Sequence, residues 1–543
     1  MAYFLYALAL LFAYSVFAVI WSRLKSRPPK GLRSVPGPKG NLVLGNTLQL
    51  GKHPQQDFQR WANEFGEIYK IRLGWNNWYM LNSPEAVKEI MDKQSAYTSS
   101  RMPLPVSSDV LSGGLRFLFM PYGPLWRKLR GVAHKLLTPK VSDTFQPSQD
   151  FEAKQLLYDI LTDNKDNRKF YMHVRRYTVS VIMTSTYGIR VPEFDCEDVN
   201  EIYGVMNDFS EVAAPGAYLA DTIPAIAEIL PESLHWWRKE VLPLRKRQEV
   251  MWMKFWTSLK TKMDLGKAPE CFVKQFIESS FEKEGISEIQ AAFLAGSMIE
   301  AGSETTSAAL NSCILYLTAY PEVVAKAHEE LSRVVGDDRS PSFGDENQLP
   351  YIRSIVKEIL RLRPVTNMGT PHYTTEDITY KENFIPKGSI VCIQQYAIHY
   401  DPARYPNPKA FKPERYLNHP LKSGAYAGIA NPLERDHFSF GAGRRICSGI
   451  HLAENSLFIT VAKILWAFDI KPPVRADGRE LPVDVSDDAY EPGANTIAKP
   501  FEARFIPRNQ KVEQVLRHEW DAAKREGYVM RDARVDSSGV VIL

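Results

Sequence analysis

The stretch FSFGAGRRICSG, residues 438–449, guides the interpretation of the rest of the chain. Cys447 lies near its end, preceded by Gly441 and Gly443, and Arg445 stands two positions before the cysteine. Glycines allow a tight turn and a close approach of the backbone to another group, because they adopt backbone angles that are closed to other residues. A glycine-rich turn around one cysteine therefore indicates a thiolate held for metal binding.

The pattern fits a haem whose iron is bound by Cys447. A thiolate ligand pushes electron density onto the iron and favours O–O cleavage, whereas an imidazole ligand suits oxygen carriage or peroxidase chemistry. Phe440 is expected to shield the sulfur, and Arg445 to pair with a haem propionate. The alternative is a turn beside a buried, inert cysteine, which is the usual state of a free thiol.

The loop resembles the haem-binding loop of the cytochrome P450 family. The phenylalanine, both glycines, the arginine, the cysteine and the following glycine stand in the family's register. The resemblance implies a mainly α fold with a small β-rich lobe, and haem b as the cofactor.

Composition narrows the class of protein. The 543 residues are 44% hydrophobic and 24% charged, which is typical of a globular chain with a sizeable core. A net charge of +4 is too small to indicate a nucleic-acid partner. The five cysteines include no CxxC pair, which argues against a disulfide framework or a zinc site and for a reducing compartment.

The N-terminus predicts a membrane anchor. Residues 2–22 begin with twenty positions that carry no charge, enough for a helix of about 30 Å, the thickness of a bilayer core. Basic residues follow on one side only, so we expect the remainder in the cytosol. The resemblance to microsomal members of the family implies the endoplasmic reticulum membrane. A cleaved signal peptide fits less well because no positive n-region precedes the apolar run.

Further boundaries follow from composition. The basic, proline-rich segment 23–46 predicts a stiff hinge, because prolines fix the backbone. The alternating segment 69–83 predicts a hairpin. We expect the haem domain over 47–508, with a charged tail over 509–543 to which no role is assigned. Segment 101–121 corresponds in the family to a mobile loop over the substrate.

Four further residues match the family's propionate partners. Trp126 and Arg130 are four apart and share one face of a predicted helix. The resemblance assigns both to a propionate, together with Arg101 and His372. The resemblance places the basic residues Arg127, Lys128 and Lys135 of the same helix toward the surface where an acidic reductase could dock, although a solvated basic face explains each lysine taken singly.

A long helix is predicted from Ser287, where Gln290 completes a capping box, to Ala319. Gly302 in its middle costs up to about 1 kcal/mol relative to alanine and needs a reason. We expect the helix to open there and make room for dioxygen, with Glu304 and Thr305 delivering protons. The alternative is an ordinary polar face; the resemblance favours catalysis, although the family more often has aspartate at the position of Glu304.

The resemblance also implies a structural triad. Glu358 and Arg361 are one helical turn apart. In the family a third residue, matched here by Arg415, joins them behind the haem loop. Loss of any one is expected to impair haem incorporation, because a buried charge would be left unpaired.

Together these matches predict a haem-thiolate monooxygenase acting on an apolar small molecule. Electrons are expected from NADPH through a separate reductase, with cytochrome b5 as a second candidate donor, since no G-x-G-x-x-G loop opens a nucleotide-binding unit. The amino-acid sequences of the haem loop and of the proline-rich segment before it resemble those of filamentous-fungal enzymes of secondary metabolism. The alternatives are a reductase-independent isomerase or dehydratase of the same family, and a non-enzymatic haem sensor.

Overall fold

The computed structural model describes residues 27–42, 44–74, 76–163, 165–214, 216–493, 495–531 and 533–542. The anchor predicted at 2–22 and the first residues of the hinge lie outside these ranges. Within them, none of the helices combines the length and apolar character that a membrane crossing requires.

The body is mainly helical with a few small β-sheets, as predicted. Its helices are α1 Pro54–Phe65, α2 Pro84–Val87, α3 Ser95–Thr98, α4 Pro124–Leu136, α5 Pro139–Asp143, α6 Gln146–Thr162, α7 Phe170–Tyr187, α8 Glu197–Val212, α9 Leu219–Thr222, α10 Ala225–Ile229, α11 Trp237–Asp264, α12 Phe272–Glu278, α13 Glu288–Ala319, α14 Pro321–Val334, α15 Pro350–Leu362, α16 Gln395–His399, α17 Ser423–Ala427, α18 Ile450–Ala467 and α19 Gln510–Glu526. Its strands are β1 Arg33–Ser34, β2 Ile68–Leu73, β3 Asn76–Leu81, β4 His372–Tyr373, β5 Ile378–Tyr380, β6 Asn383–Ile385, β7 Ile390–Ile393, β8 Phe468–Lys471, β9 Arg504–Pro507, β10 Tyr528–Met530, β11 Ala533–Val535 and β12 Val541–Ile542.

The main sheet has the strand order β2-β3-β7-β4. Strands β2 and β3 form the predicted hairpin, with Ile68 opposite Leu81 and Leu73 opposite Asn76. Strand β7 then pairs parallel to β3. The sheet therefore joins an early and a late part of the chain, and β4 at its edge carries His372.

Helix α13 passes through the core. Ser287 accepts from the Gln290 amide, and the Gln290 side chain accepts from the Ser287 amide, which completes the predicted capping box. Its residues are largely buried on either side of a short central segment around Ala301, which is exposed. The predicted opening of the helix is wrong, because α13 is continuous from Glu288 to Ala319.

The structure gives Gly302 a different reason, the close approach of α7. A Cβ at this glycine would lie 2.6 Å from Cδ1 and Cγ1 of Ile182, well inside contact distance. Glycine therefore allows α13 and α7 to pack closely at the level of Ala301.

We expect Gly302→Ala to lower the free energy of unfolding by about 1–3 kcal/mol, the usual cost of overpacking a core. Adding Ile182→Ala should recover part of that loss, because it removes the atoms that the new methyl group meets. Urea unfolding of both variants tests this. Equal destabilisation by the single and double variants would show that the Ile182 contact is not the cause.

The segment after residue 508, predicted only as a charged tail, packs against the body. Trp520 of α19 is 7% exposed, and its ring centroid lies 5.4 Å from that of Phe151. The Glu519 carboxylate accepts from the Ser340 hydroxyl at 2.5 Å, and Arg190 donates to the carbonyl of Ser537. This segment is therefore part of the folded unit.

Candidate functional site: a thiolate loop at a cationic cavity

The loop before Cys447 is a tight turn built on two left-handed glycines. Gly441 has φ +73° and Gly443 has φ +66°, a region that strains other residues. A Cβ on Gly443 would lie 2.1 Å from the carbonyl oxygen of Met91, so only glycine fits there. The Cys447 amide donates to the carbonyl of Phe440 at 2.9 Å and closes the turn.

The surroundings of Cys447 indicate an internal space next to this residue. The residue is exposed, yet the protein around it raises the pKa of its thiol through burial, an effect that the Gly449 amide and Arg130 oppose. Exposure inside the body indicates the wall of a cavity. Ala301, exposed in the middle of an otherwise buried helix, indicates the same.

Three arginines predicted to bind propionates lie together near Trp126. The guanidinium carbon of Arg445 lies 4.2 Å from the centroid of the Trp126 ring. Burial, with Arg101 and Arg130 nearby, lowers the pKa of Arg445 to about 8. Burial likewise lowers the pKa of Arg101 to about 10. Mutual repulsion between these cations indicates that the cavity is built to hold an anion.

The hydrogen bonds of these arginines lead to the same conclusion. Arg445 donates to the carbonyl of Met120 at 2.6 Å, Arg101 to that of Pro371 at 2.6 Å, and Arg130 to that of Ile446 at 2.5 Å. Among the residues that the structure describes, none of the three forms an ion pair with a carboxylate. Neutral carbonyls orient the guanidinium groups but leave their charge uncompensated.

Two more predicted partners line this region. The buried Nε1 of Trp126 has no partner within the described part of the chain. His372 is buried, and its Nδ1 lies 2.7 Å from the carbonyl oxygen of Thr98. Burial, reinforced by Arg101, holds the pKa of His372 well below its usual value. Uncompensated cations, a free indole N–H and an accessible thiol fit the two propionates and the iron of a haem.

The predicted acid–hydroxyl pair lies on α13 beside the exposed Ala301. The Thr305 hydroxyl donates to the carbonyl of Ala301 at 2.6 Å, which keeps this turn helical. Glu304 is half-buried, and its Oε2 accepts from Nδ2 of Asn495 at 3.0 Å. Sequence reasoning missed Asn495, because no local pattern connects residues so far apart in the chain.

The predicted triad is assembled as a buried ion cluster. Arg361 is fully buried and forms two bonds to Glu358, from Nη2 to Oε1 at 2.7 Å and from Nε to Oε2 at 2.8 Å. Nε of Arg415 lies 3.2 Å from Oε1 of Glu358. The Lys412 amide donates to that oxygen at 3.0 Å. Glu358 thus joins α15 to the segment that follows β7.

A buried histidine next to the cysteine loop makes stability depend on pH. Burial lowers the pKa of His437 to about 4, against about 6.5 when unfolded. Between these values the unfolded chain binds a proton that the folded chain does not, so the free energy of unfolding falls as pH falls. Asp159 opposes this trend, because burial raises its pKa to about 6. A comparison with a variant isolates the histidine.

We expect the wild type to lose about 2 kcal/mol more stability than His437→Gln between pH 7 and pH 5. The variant lacks the group that the unfolded chain protonates in this range. Urea unfolding at both pH values measures the difference, and Gln contains no titrating group that would replace it. An identical loss in both proteins would contradict the low pKa of His437.

Comparison with known proteins agrees with this geometry. The family model described as Cytochrome P450 matches residues 35–482. The chain is 42% identical to the cytochrome P450 monooxygenase pgmC of Aspergillus terreus, over 98% of this chain and 96% of the relative. It is 40% identical to the cytochrome P450 monooxygenase verL of Clonostachys rogersoniana, over 95% and 94%. It is 36% identical to the cytochrome P450 monooxygenase virE of Hypocrea virens, over 90% and 87%. The chain belongs to the cytochrome P450 family.

Proposed function

We propose that this protein is a haem-thiolate monooxygenase that inserts one oxygen atom from O2 into a small, largely apolar molecule by hydroxylation or epoxidation, or that desaturates this molecule while both oxygen atoms leave as water. The observation that carries the proposal is the glycine turn that ends at Cys447, a residue that is exposed although the protein around it desolvates its thiol. A carrier or sensor has little need of a thiolate ligand, which favours O–O cleavage. The named activity of the fungal relatives supports the same reaction class.

Different residues of the chain would bind the iron and the propionates of the haem. Cys447 would bind the iron through Sγ, with Phe440, Gly441 and Gly443 shaping the turn that presents it. The propionates would neutralise the cations of Arg101, Arg130 and Arg445, while Trp126 and His372 complete that pocket. A haem b bound there supplies the redox chemistry that activates O2.

Proton delivery is assigned to Glu304 and Thr305. The Glu304 residue is half-buried, and Asn495 donates a hydrogen bond to Oε2 of its carboxylate. Proton transfer is therefore proposed to use the other oxygen, Oε1. Oγ1 of Thr305 can both donate and accept a hydrogen bond, so once it rotates away from the Ala301 carbonyl it can pass into the cavity a proton that Glu304 relays through water.

Electrons are proposed to come from NADPH through a separate cytochrome P450 reductase, with cytochrome b5 as a second donor. Arg127 and Lys135 of α4 are exposed, and Lys128 is exposed beside the carbonyl of Glu284. An exposed basic face on the helix that also carries Trp126 suits an acidic redox partner.

We further propose that the protein is anchored in the endoplasmic reticulum membrane with its body in the cytosol. The uncharged N-terminal run and the basic residues after it support an anchor with this orientation, and the resemblance to microsomal members of the family supports the endoplasmic reticulum. A role in fungal secondary metabolism is proposed from the resemblance of the motifs to such enzymes.

The reaction is tested by turnover of the full chain with reductase in lipid vesicles. The reduced protein with carbon monoxide should first give the strongly red-shifted absorption band of thiolate-bound haem. Product should then appear only with NADPH and O2, and contain one atom of labelled oxygen when it is hydroxylated. Conversion of a substrate without NADPH would identify an isomerase or dehydratase, and bound haem without any turnover across a broad substrate panel would support a sensor.

A further inference from the structure

A second charged cluster lies in the predicted substrate-covering loop, apart from the arginines described above. Arg116 forms an ion pair with Glu300 of α13. The side chains are 3% and 14% exposed, respectively. The pair therefore links the 101–121 loop to the central helix.

The guanidinium group of Arg116 has partners on every side. Its Nε donates to the Ser112 hydroxyl at 3.3 Å, and its Nη2 donates to Oε1 of Gln248 at 3.3 Å. The face of the group lies over Phe209, with the guanidinium carbon 3.7 Å from the ring centroid. Arg116 is thus fixed in place, and it fixes the orientation of both Glu300 and the Gln248 amide.

Two polar atoms of this cluster are left over. Oε1 of Glu300 and Nε2 of Gln248 are buried and have no hydrogen-bond partner among the residues that the structure describes. Such atoms are unusual in a folded interior, because each has lost its water without gaining a partner. The first is an acceptor and the second is a donor. Both belong to side chains that Arg116 holds on neighbouring branches of one guanidinium group.

Glu300 lies on the same face of α13 as Glu304, four residues later. It directly precedes the exposed Ala301. Burial raises its pKa, an effect that Arg116 opposes. An apolar pair of similar size would usually be no less stable than a buried ion pair, so stability alone does not account for these residues.

We propose that Glu300 and Gln248 bind a hydroxyl group of the substrate, so that the substrate class is an apolar skeleton carrying an alcohol or a phenol. The hydroxyl would donate to Oε1 of Glu300 and accept from Nε2 of Gln248, which satisfies both unpaired atoms at once. This inference rests on the proposed monooxygenase function, and it makes these two residues specificity determinants.

The test compares the binding of 4-phenylphenol and 4-methylbiphenyl. The first has a hydroxyl group where the second has a methyl group of similar size. Equilibrium dialysis of the full-length holoprotein gives the ratio of their dissociation constants. The same ratio is measured for the double variant Arg116→Leu with Glu300→Leu, in which no lone buried charge remains. A matched control is Lys260→Gln with Glu288→Gln, which removes an exposed ion pair from the start of the same helix.

We expect the preference for 4-phenylphenol to be about 10-fold or more weaker in the double-leucine variant, as for loss of a hydrogen bond to a charged group, and unchanged in the control. Gln248→Met, which leaves the ion pair intact, should lose part of the preference, and it provides the test if the double variant does not fold. Equal ratios in wild type, Gln248→Met and the double variant would overturn the proposal. The carbon monoxide band of each protein, recorded separately, shows whether thiolate-bound haem is intact, so a failed subsite is distinguished from a failed monooxygenase assignment.

Discussion

Cys447→Ala is expected to abolish the red-shifted carbon monoxide band and all NADPH-dependent product formation. Loss of a supporting residue around a metal ligand typically costs about 10–100-fold in affinity, and loss of the ligand itself should cost more. Alanine leaves the turn intact, because the Cys447 amide rather than its side chain donates to Phe440. The reduced difference spectrum and the haem content of the purified protein measure the effect.

The matched control is Cys313→Ala, which alters a cysteine that is 1% exposed within α13. Burial raises the pKa of that thiol to about 12, so it remains protonated and unreactive. This variant should keep the band. A red-shifted band retained in folded Cys447→Ala would contradict the assignment of Cys447 as the iron ligand.

Glu358→Gln is expected to lower the free energy of unfolding by about 3–5 kcal/mol, the typical cost of breaking a buried ion pair. The change leaves Arg361 fully buried without a counter-charge and weakens the contact with Arg415. Because this cluster holds the segment after β7 against α15, haem content should fall with stability. Urea unfolding and haem content per chain measure the two effects.

The control for this prediction is an ion pair at the surface. Glu513 and Arg517 of α19 are four residues apart at 2.8 Å, with side chains 35% and 44% exposed. Glu513→Gln should therefore change stability by less than about 1 kcal/mol. Equal effects of the two substitutions would show that burial does not set the importance of Glu358.

The sequence was most informative where the chemistry is local. The turn before Cys447 needs glycine at Gly443 because a backbone carbonyl lies against it, so the constraint is visible within a few residues. The capping box at Ser287 and the strands on either side of Gly74 are local in the same way. Such short-range patterns predicted the thiolate loop, the start of α13 and the hairpin.

Contacts between distant segments were not visible in this way. Two hydrogen bonds of the site, between Asn495 and Glu304 and between Arg116 and Gln248, join elements that are far apart in the sequence and meet only in the folded chain. The opening predicted at Gly302 was wrong for the same reason. The requirement for glycine there comes from Ile182 on another helix, whose side chain leaves no room for a Cβ.

The packing of the last helix, by contrast, did have a local signal. One apolar face of α19 consists of residues spaced four apart, Val512, Leu516 and Trp520. All three side chains are buried. The high charge of the surrounding residues concealed this pattern. An amphipathic face of this kind predicts docking onto a core even where overall composition suggests a solvated tail.

The recognisable family region and the folding unit of this protein do not coincide. Similarity to the family model ends at residue 482, yet strand β8 has its partner in β9, and Lys463 in the helix after Cys447 donates to a serine that Glu519 also binds. A fragment cut to residues 35–482 would also lack Asn495, the side chain that bonds to Glu304. Protein produced for experiments should therefore include the chain through its final strands, since truncation at the similarity boundary would remove core packing and the hydrogen bond to Glu304 together.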